Sequence, residues 1–333
     1  GTLALTGANV AVTENAATDL GASTVSGTFG ITSGGAITDS GTQAITGAST
    51  FTNTAGTNDA ITLDDASNAF AGTVTFSTDS GSAVTVVDTT ALDLLALSAA
   101  SLSVTAGGAV TDSGTLAITG ATTISASGQD ITLDEAASTF GTLALTGANV
   151  AVTENAATDL AASTVSGTLG ITSAGAVTDS GTLAITGATT ISASGQDITL
   201  DEAASTFGTL ALTGSNVAVT ENAAMDLGAS TIGGTANFNS TSNVITDSGT
   251  LAITGATTIN AGTADITLDQ AASTFGALAL TGANVAVTEN AATDLAASTV
   301  SGTLGVTSTG AVTDSGTLAI TGATTISASG QDI

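Results

Sequence analysis

GTLALTGANVAVTENAATDL, residues 141–160, is the stretch from which the fold is read. The same sequence stands at 1–20. It returns at 208–227 with Ser215 and Met225 as the changes, and at 276–295 with Ala277 as the change. A divergent copy, GTVTFSTDSGSAVTVVDTTALDL, begins at Gly72. The unit starts are therefore at positions 1, 72, 141, 208 and 276. Self-similarity at a near-constant period of roughly 70 residues marks a repeat architecture, in which each unit buries its apolar face only against its neighbours.

Inside the unit 141–207, apolar residues fall at i and i+2. Leu143 and Leu145 form one pair; Val150 and Val152, Leu169 and Ile171, Leu183 and Ile185, and Ile198 and Leu200 form others. Period two is the strand signal, and no sustained i, i+3, i+4 pattern competes with it. Gly, Asn, Asp and Ser separate the strands, as turns require. About nine short strands per unit predict three coils of three strands, hence an all-β, parallel β-helix or solenoid. The residues before the acidic turns (Val152, Val177, Leu200, then Val219) are expected to align from coil to coil. That alignment makes the coils unequal, at roughly twenty-odd residues each. Some fifteen coils at roughly 4.8 Å each would extend on the order of 70 Å. The expected organisation is one continuous solenoid over 1–333, with units 1–71, 72–140, 141–207, 208–275 and an incomplete 276–333. Both ends cut the pattern inside a unit, so the chain is expected to be a segment of a longer protein. Phe70, Phe140, Phe207 and Phe275 each close a unit and are expected to fill a corner of the core. A string of immunoglobulin-like sandwiches is the competing architecture. Eight Phe, no Trp and sub-repeats within the repeat argue against it.

The charge is one-sided. The chain holds 28 acids and no Lys, Arg or His, for a net charge of −28, and it lacks Cys, Pro, Trp and Tyr. Nucleic-acid binding is excluded, because it needs cations to displace counterions from phosphate. Docking on anionic lipid is excluded for the same reason. No apolar run is long enough to span a bilayer, so no membrane insertion is expected in this segment. Disorder is excluded by the 42% apolar content and its regular alternation.

Chemistry-bearing motifs are few. TDSG, at Thr38, Thr78, Thr111, Thr178, Thr246 and Thr313, has the hydrophobic–Asp–Ser–Gly form of an aspartic-protease loop. Such an enzyme needs two loops facing each other, whereas these recur along one line, on residues that favour turns. Polysaccharide lyase chemistry wants a basic residue, and a two-carboxylate glycosidase wants a unique cleft. No enzymatic activity is expected. The acids are the best candidate site: Glu14, Asp39, Glu154, Asp179, Asp201, Glu202, Glu221, Asp247, Glu289 and Asp314 form an expected ladder. With no cation to relieve them they either project into solvent or bridge through Ca²⁺, which takes six to eight oxygens. No cofactor is required on this reading, and Ca²⁺ is the one the acids could hold. The outward parity of the strands places Thr142, Ala144, Thr146, Thr168, Thr172, Thr182, Ala184 and Thr186 on the surface. That flat, short-side-chain face is expected to serve lateral or end-to-end self-association. The alternative is an adhesive binding module with Ca²⁺-stabilised repeats, recognising a surface, a glycan or, through threonine ladders, ice.

Blocks such as SAGAVTDSGTLAITGATTISASGQDITLDEAASTFGTLALTGANVAV resemble the repeat regions of filamentous-haemagglutinin-like exoproteins and autotransporter passengers. The resemblance is compositional and periodic and covers the whole chain. It implies a right-handed β-helix at the bacterial cell surface or outside it, as an adhesin shaft or a surface fibre. Its partner would be a host or neighbouring cell. The chain has no RGD tripeptide and no amino-terminal secretion domain, so no receptor residue is carried across.

Overall fold

A computed structural model describes residues 1–54, 56 and 58–333. Among them there is no helix. The chain makes about 16 turns of an all-parallel β-solenoid, close to the fifteen expected. It divides into two compact units, Gly1–Gly167 and Thr168–Ile333.

In the second unit two columns of strands persist. One runs Leu169–Ser173, Thr189–Ser192, Thr209–Gly214, Met225–Leu227, Ile245–Asp247, Ile266–Leu268, Val285–Glu289 and Leu304–Ser308. The other runs Val177–Asp179, Ile198–Leu200, Val217–Thr220, Ala236–Asn239, Thr257–Asn260, Ala277–Gly282 and Thr293–Leu295. Leu169, Thr189, Leu210 and Leu227 stack in line, one per coil. The expected register holds in part: Leu200 lies beside Val219 as expected, whereas Val177 lies beside Ile198 rather than Leu200. In the first unit Val152 lies beside Leu133.

A third column is short and is rebuilt in every repeat. Each long strand written TLALTG or ALALTG receives two strands of the following coil. Thr209–Gly214 takes Met225–Leu227 on its first half and Ser230–Ile232 on its second. Ala277–Gly282 takes Thr293–Leu295 and Ser298–Val300, and in the first unit Thr142–Gly147 takes Thr158–Leu160 and Ser163–Val165. The third column so founded continues from Ser230–Ile232 to Leu251–Ile253 and then to a bridge between Ala252 and Thr274, where it stops. The next fork falls on the other persistent column. Leu210 and Leu278 are equivalent in the sequence repeat, yet they lie in different columns. The repeat is three coils and part of a fourth, which refines the expected three.

The core follows parity. Leu, Ile, Val and Phe at alternate positions are buried in both units apart from the first and last coils, and their neighbours on each strand face outward. In the first unit Phe51 is the centre of an aromatic cluster. Its ring lies 5.8 Å from those of Phe29, Phe70 and Phe76.

Candidate functional site

A solenoid that forks and ends a column must satisfy the backbone groups exposed there, because an unpaired buried N–H costs about 1–3 kcal/mol. Side-chain oxygens meet each of these demands. At the fork, the middle Leu of the long strand faces the gap between two short strands. The Ser163 Oγ accepts the Leu145 N–H at 3.0 Å, Ser230 accepts from Leu212, and Ser298 from Leu280.

At the end of the third column a carboxylate takes over. The Phe140 N–H donates to Glu154 Oε1 at 2.8 Å, Phe207 to Glu221 at 2.7 Å, and Phe275 to Glu289 at 2.8 Å. In the divergent repeat the Phe70 N–H donates to Asp88 Oδ1 at 3.3 Å, and Thr90 adds its own N–H and hydroxyl. Ser138, Ser205 and Ser273, each shortly before its Phe, accept the N–H groups of Leu116, Leu183 and Leu251. The phenylalanines thus sit at a corner of the core, as expected, and the corner is where the column closes.

The acid of TDSG has a different post. Asp179 accepts the Asp201 N–H at 2.8 Å and the Glu202 N–H at 3.4 Å. Asp247 does the same for Asp269 and Gln270. Asp112 accepts from Asp134, and Asp39 from Asp64 and from the Asn68 side chain. The serine of TDSG donates outward to an aspartate one coil away: Ser40 to Asp19, Ser113 to Asp93 and Ser248 to Asp226. In these copies the motif is occupied in holding turns to turns.

The expected ladder of solvent-facing acids is corrected for half its members. Glu154, Asp179, Glu221, Asp247 and Glu289 are buried, Asp39 is half-buried, and only Glu14, Asp201 and Asp314 are exposed. Glu202 is intermediate. They also occupy different columns, so they do not form one line. Burial pushes the carboxyls of Asp39, Asp88, Asp112, Glu154, Asp179 and Glu289 above their ordinary values, and Asp247 likewise, with N–H donors pulling partly back. Glu221 is pushed up to about 7. Among the described residues no three acids converge in a way that could hold a metal ion.

The eight surface candidates all turn away from the core. Thr146, Thr168, Thr172, Thr182, Ala184 and Thr186 are exposed or partly so, as are Thr142 and Ala144. They are shared among columns. Thr172 stacks on Ser192 in a persistent column, while Ala184 bridges to Thr206 in a third column. A groove of about 410 Å³ lined by Thr75, Phe76, Thr78, Ala96, Leu97 and Ala117 contains no ionisable side chain.

If the buried aspartates are structural caps, Asp247→Ala will strand the Asp269 and Gln270 N–H groups and cost about 1–3 kcal/mol. Denaturant titration would read this as a lowered midpoint. An unchanged midpoint would mean that water replaces the carboxylate without loss.

Five successive segments, residues 7–77, 81–146, 147–213, 214–281 and 282–333, match one family model, described as repeats of unknown function (DUF5649). Four of these segments begin six residues after the starts read from the sequence (7 against 1, 147 against 141, 214 against 208, 282 against 276). No curated protein and no solved structure matches the chain.

Proposed function

We propose a structural role for this chain, which belongs to the DUF5649 family of repeats: a β-solenoid that associates side by side with its own copies. Its setting would be extracellular, as the shaft of a bacterial adhesin or the subunit of a surface fibre or sheath. The observation that carries this reading is the outward surface. In the second unit Thr246, Thr267, Ala286, Gly305 and Thr325 form one outward line over five coils. Among the described residues only Val244 and Ile333 are large apolar side chains that stand exposed; Val87, Leu95 and those of the first and last coils are partly so. Short, flat rows let two sheets approach to about 10 Å. Natural sheets discourage such contact with Lys or Pro, and this chain contains neither. The buried acids support the reading from the other side, since each gives an oxygen to backbone N–H groups and the acids are spread over several coils rather than gathered in a cleft.

The charge of −28 opposes association until salt screens it, over about 10 Å at roughly 0.1 M. Sedimentation velocity from dilute to concentrated protein, at physiological salt and with EDTA present, is the test, with negative-stain images of the same samples. Lateral assemblies that grow with concentration are expected. Assembly that requires added Ca²⁺ would replace direct contact by calcium bridging. A monodisperse monomer under both conditions would overturn the proposal.

A further inference from the structure

Three glutamates share one environment; Asp88 is buried in a similar corner but also accepts from the Thr90 N–H and hydroxyl. Glu154, Glu221 and Glu289 are 0–2% exposed. Each binds one Phe N–H through Oε1, while its Oε2 is buried without a hydrogen-bond partner. The chain offers no Lys, Arg or His anywhere. The ionisable groups on the segments around each of them are acids too. For Glu154 they are Asp134, Glu135 and Asp159; for Glu221, Asp201, Glu202 and Asp226; for Glu289, Asp269 and Asp294. A carboxylate in such a place carries an uncompensated charge out of water, a cost that a protein avoids by keeping the group neutral. A carboxylic acid fits the corner better. Its carbonyl oxygen accepts the Phe N–H, and its hydroxyl leaves no charge behind.

We propose that Glu154, Glu221 and Glu289 are neutral carboxylic acids in the folded chain. Each serves as a proton-operated lock on the end of a third column. With the proton in place the corner between Phe and Glu is closed; loss of the proton puts a bare charge there and loosens the coil. The three locks are not equal. Thr158 and Thr293 lie beside Glu154 and Glu289 and favour the ionised form. Met225 stands at the corresponding position beside Glu221 and has no hydroxyl to offer, which agrees with the higher value of about 7 there.

The direction of the pH effect follows from linkage. A carboxyl that holds its proton more tightly folded than unfolded binds more protons in the native state, so stability falls as pH rises. The loss starts near the unfolded value of 4.5 and, for Glu221, is complete above about 7. A displacement of that size corresponds to roughly a hundredfold or more in the folding equilibrium. These three groups therefore contribute most to stability in acid.

Two measurements on the full chain test this. In protein labelled with ¹³C at the glutamate carboxyls, the three buried glutamates are expected to titrate above the ordinary carboxylate range, with Glu221 last. Titration of all three within the ordinary carboxylate range would overturn the proposal. Thermal melts from mildly acidic to mildly alkaline pH, in high salt to screen surface repulsion, compare the wild type with Glu221→Gln and with the less buried control Glu202→Gln. The control should follow the wild-type fall in midpoint, and Glu221→Gln should flatten it. An equal fall in both variants would refute the lock. Should Glu221→Gln not fold, the titration decides alone, and Met225→Thr adds a directional check by lowering the Glu221 midpoint.

Discussion

Phe51→Ala will destabilise the first unit by about 3–5 kcal/mol from lost burial and the cavity left behind. The expected loss lies at the upper end of that range because Phe51 is completely buried and is the one ring in contact with three others. Phe29 and Phe70 meet it edge-on and Phe76 is stacked on it, all at 5.8 Å. Each such pair is worth about 0.5–1.5 kcal/mol beyond area. The backbone cannot collapse to fill the space, since Phe51 is in register with Ile31 on one side and Phe76 on the other. In a stacked repeat protein each coil is stabilised by its neighbours, so a weak coil opens locally. Hydrogen exchange is therefore the sharper readout. Amides of the strands Phe29–Ser33, Ser49–Asn53 and Val74–Ser77 should lose protection first. A loss below about 1 kcal/mol would mean that neighbouring side chains repack into the cavity, contrary to the usual partial relaxation.

Much of this architecture is legible from period two and the long recurrence of GTLALTG. Strand type, parallel stacking and the core face of each strand need only local alternation, which these sequences keep with few exceptions. The acids are misplaced by sequence reasoning for an instructive reason. In Val150–Glu154, VAVTE, the glutamate shares parity with two buried valines; in Val177–Asp179, VTD, the aspartate shares parity with Val177. Alternation alone puts both inside. The competing rule, that carboxylates stay in water unless paired, points outward. What reverses it is a set of free N–H groups at a column end, and column ends are non-local. Nothing between Phe207 and Glu221 announces that Phe207 has lost its strand partner. The constant spacing from Phe to Glu, repeated in three units, is the available signal. Of the anchor residues, Leu200 and Val219 stack as expected, whereas Val177 stands beside Ile198, so sequence likeness within a repeat does not by itself fix the register.

Gly255→Ala will be as damaging as a core deletion, although Gly255 lies at a turn. A methyl group there would strike the Gly234 carbonyl, and the following coil is as close, since a Cβ on Gly276 would strike the Gly255 carbonyl. These three glycines stack coil upon coil, where backbone meets backbone at the repeat of roughly 4.8 Å that parallel strands impose. The obstacle is main chain, which cannot rotate aside as a side chain would. Overpacking of this kind costs about 1–3 kcal/mol, occasionally more, when backbone must shift. Here a shift has to pass along the stack, because moving the Gly234 turn displaces the coil beneath it in turn. The matched control is Gly305→Ala. Gly305 faces outward on the strand Leu304–Ser308, and its nearest obstacle is the Val285 carbonyl at 3.8 Å, an ordinary contact. Its neighbours in the outward line are Ala286 and Thr325, so an alanine there continues a row that already carries side chains. Denaturation midpoints should fall by several degrees for Gly255→Ala and stay nearly unchanged for Gly305→Ala, which restricts the unfolded chain slightly. Equal midpoints would mean that coil spacing can yield at the turns. In that case the stacking distance would be set by the strands alone, and the recurring glycine of each GTLALTG start would be free to change.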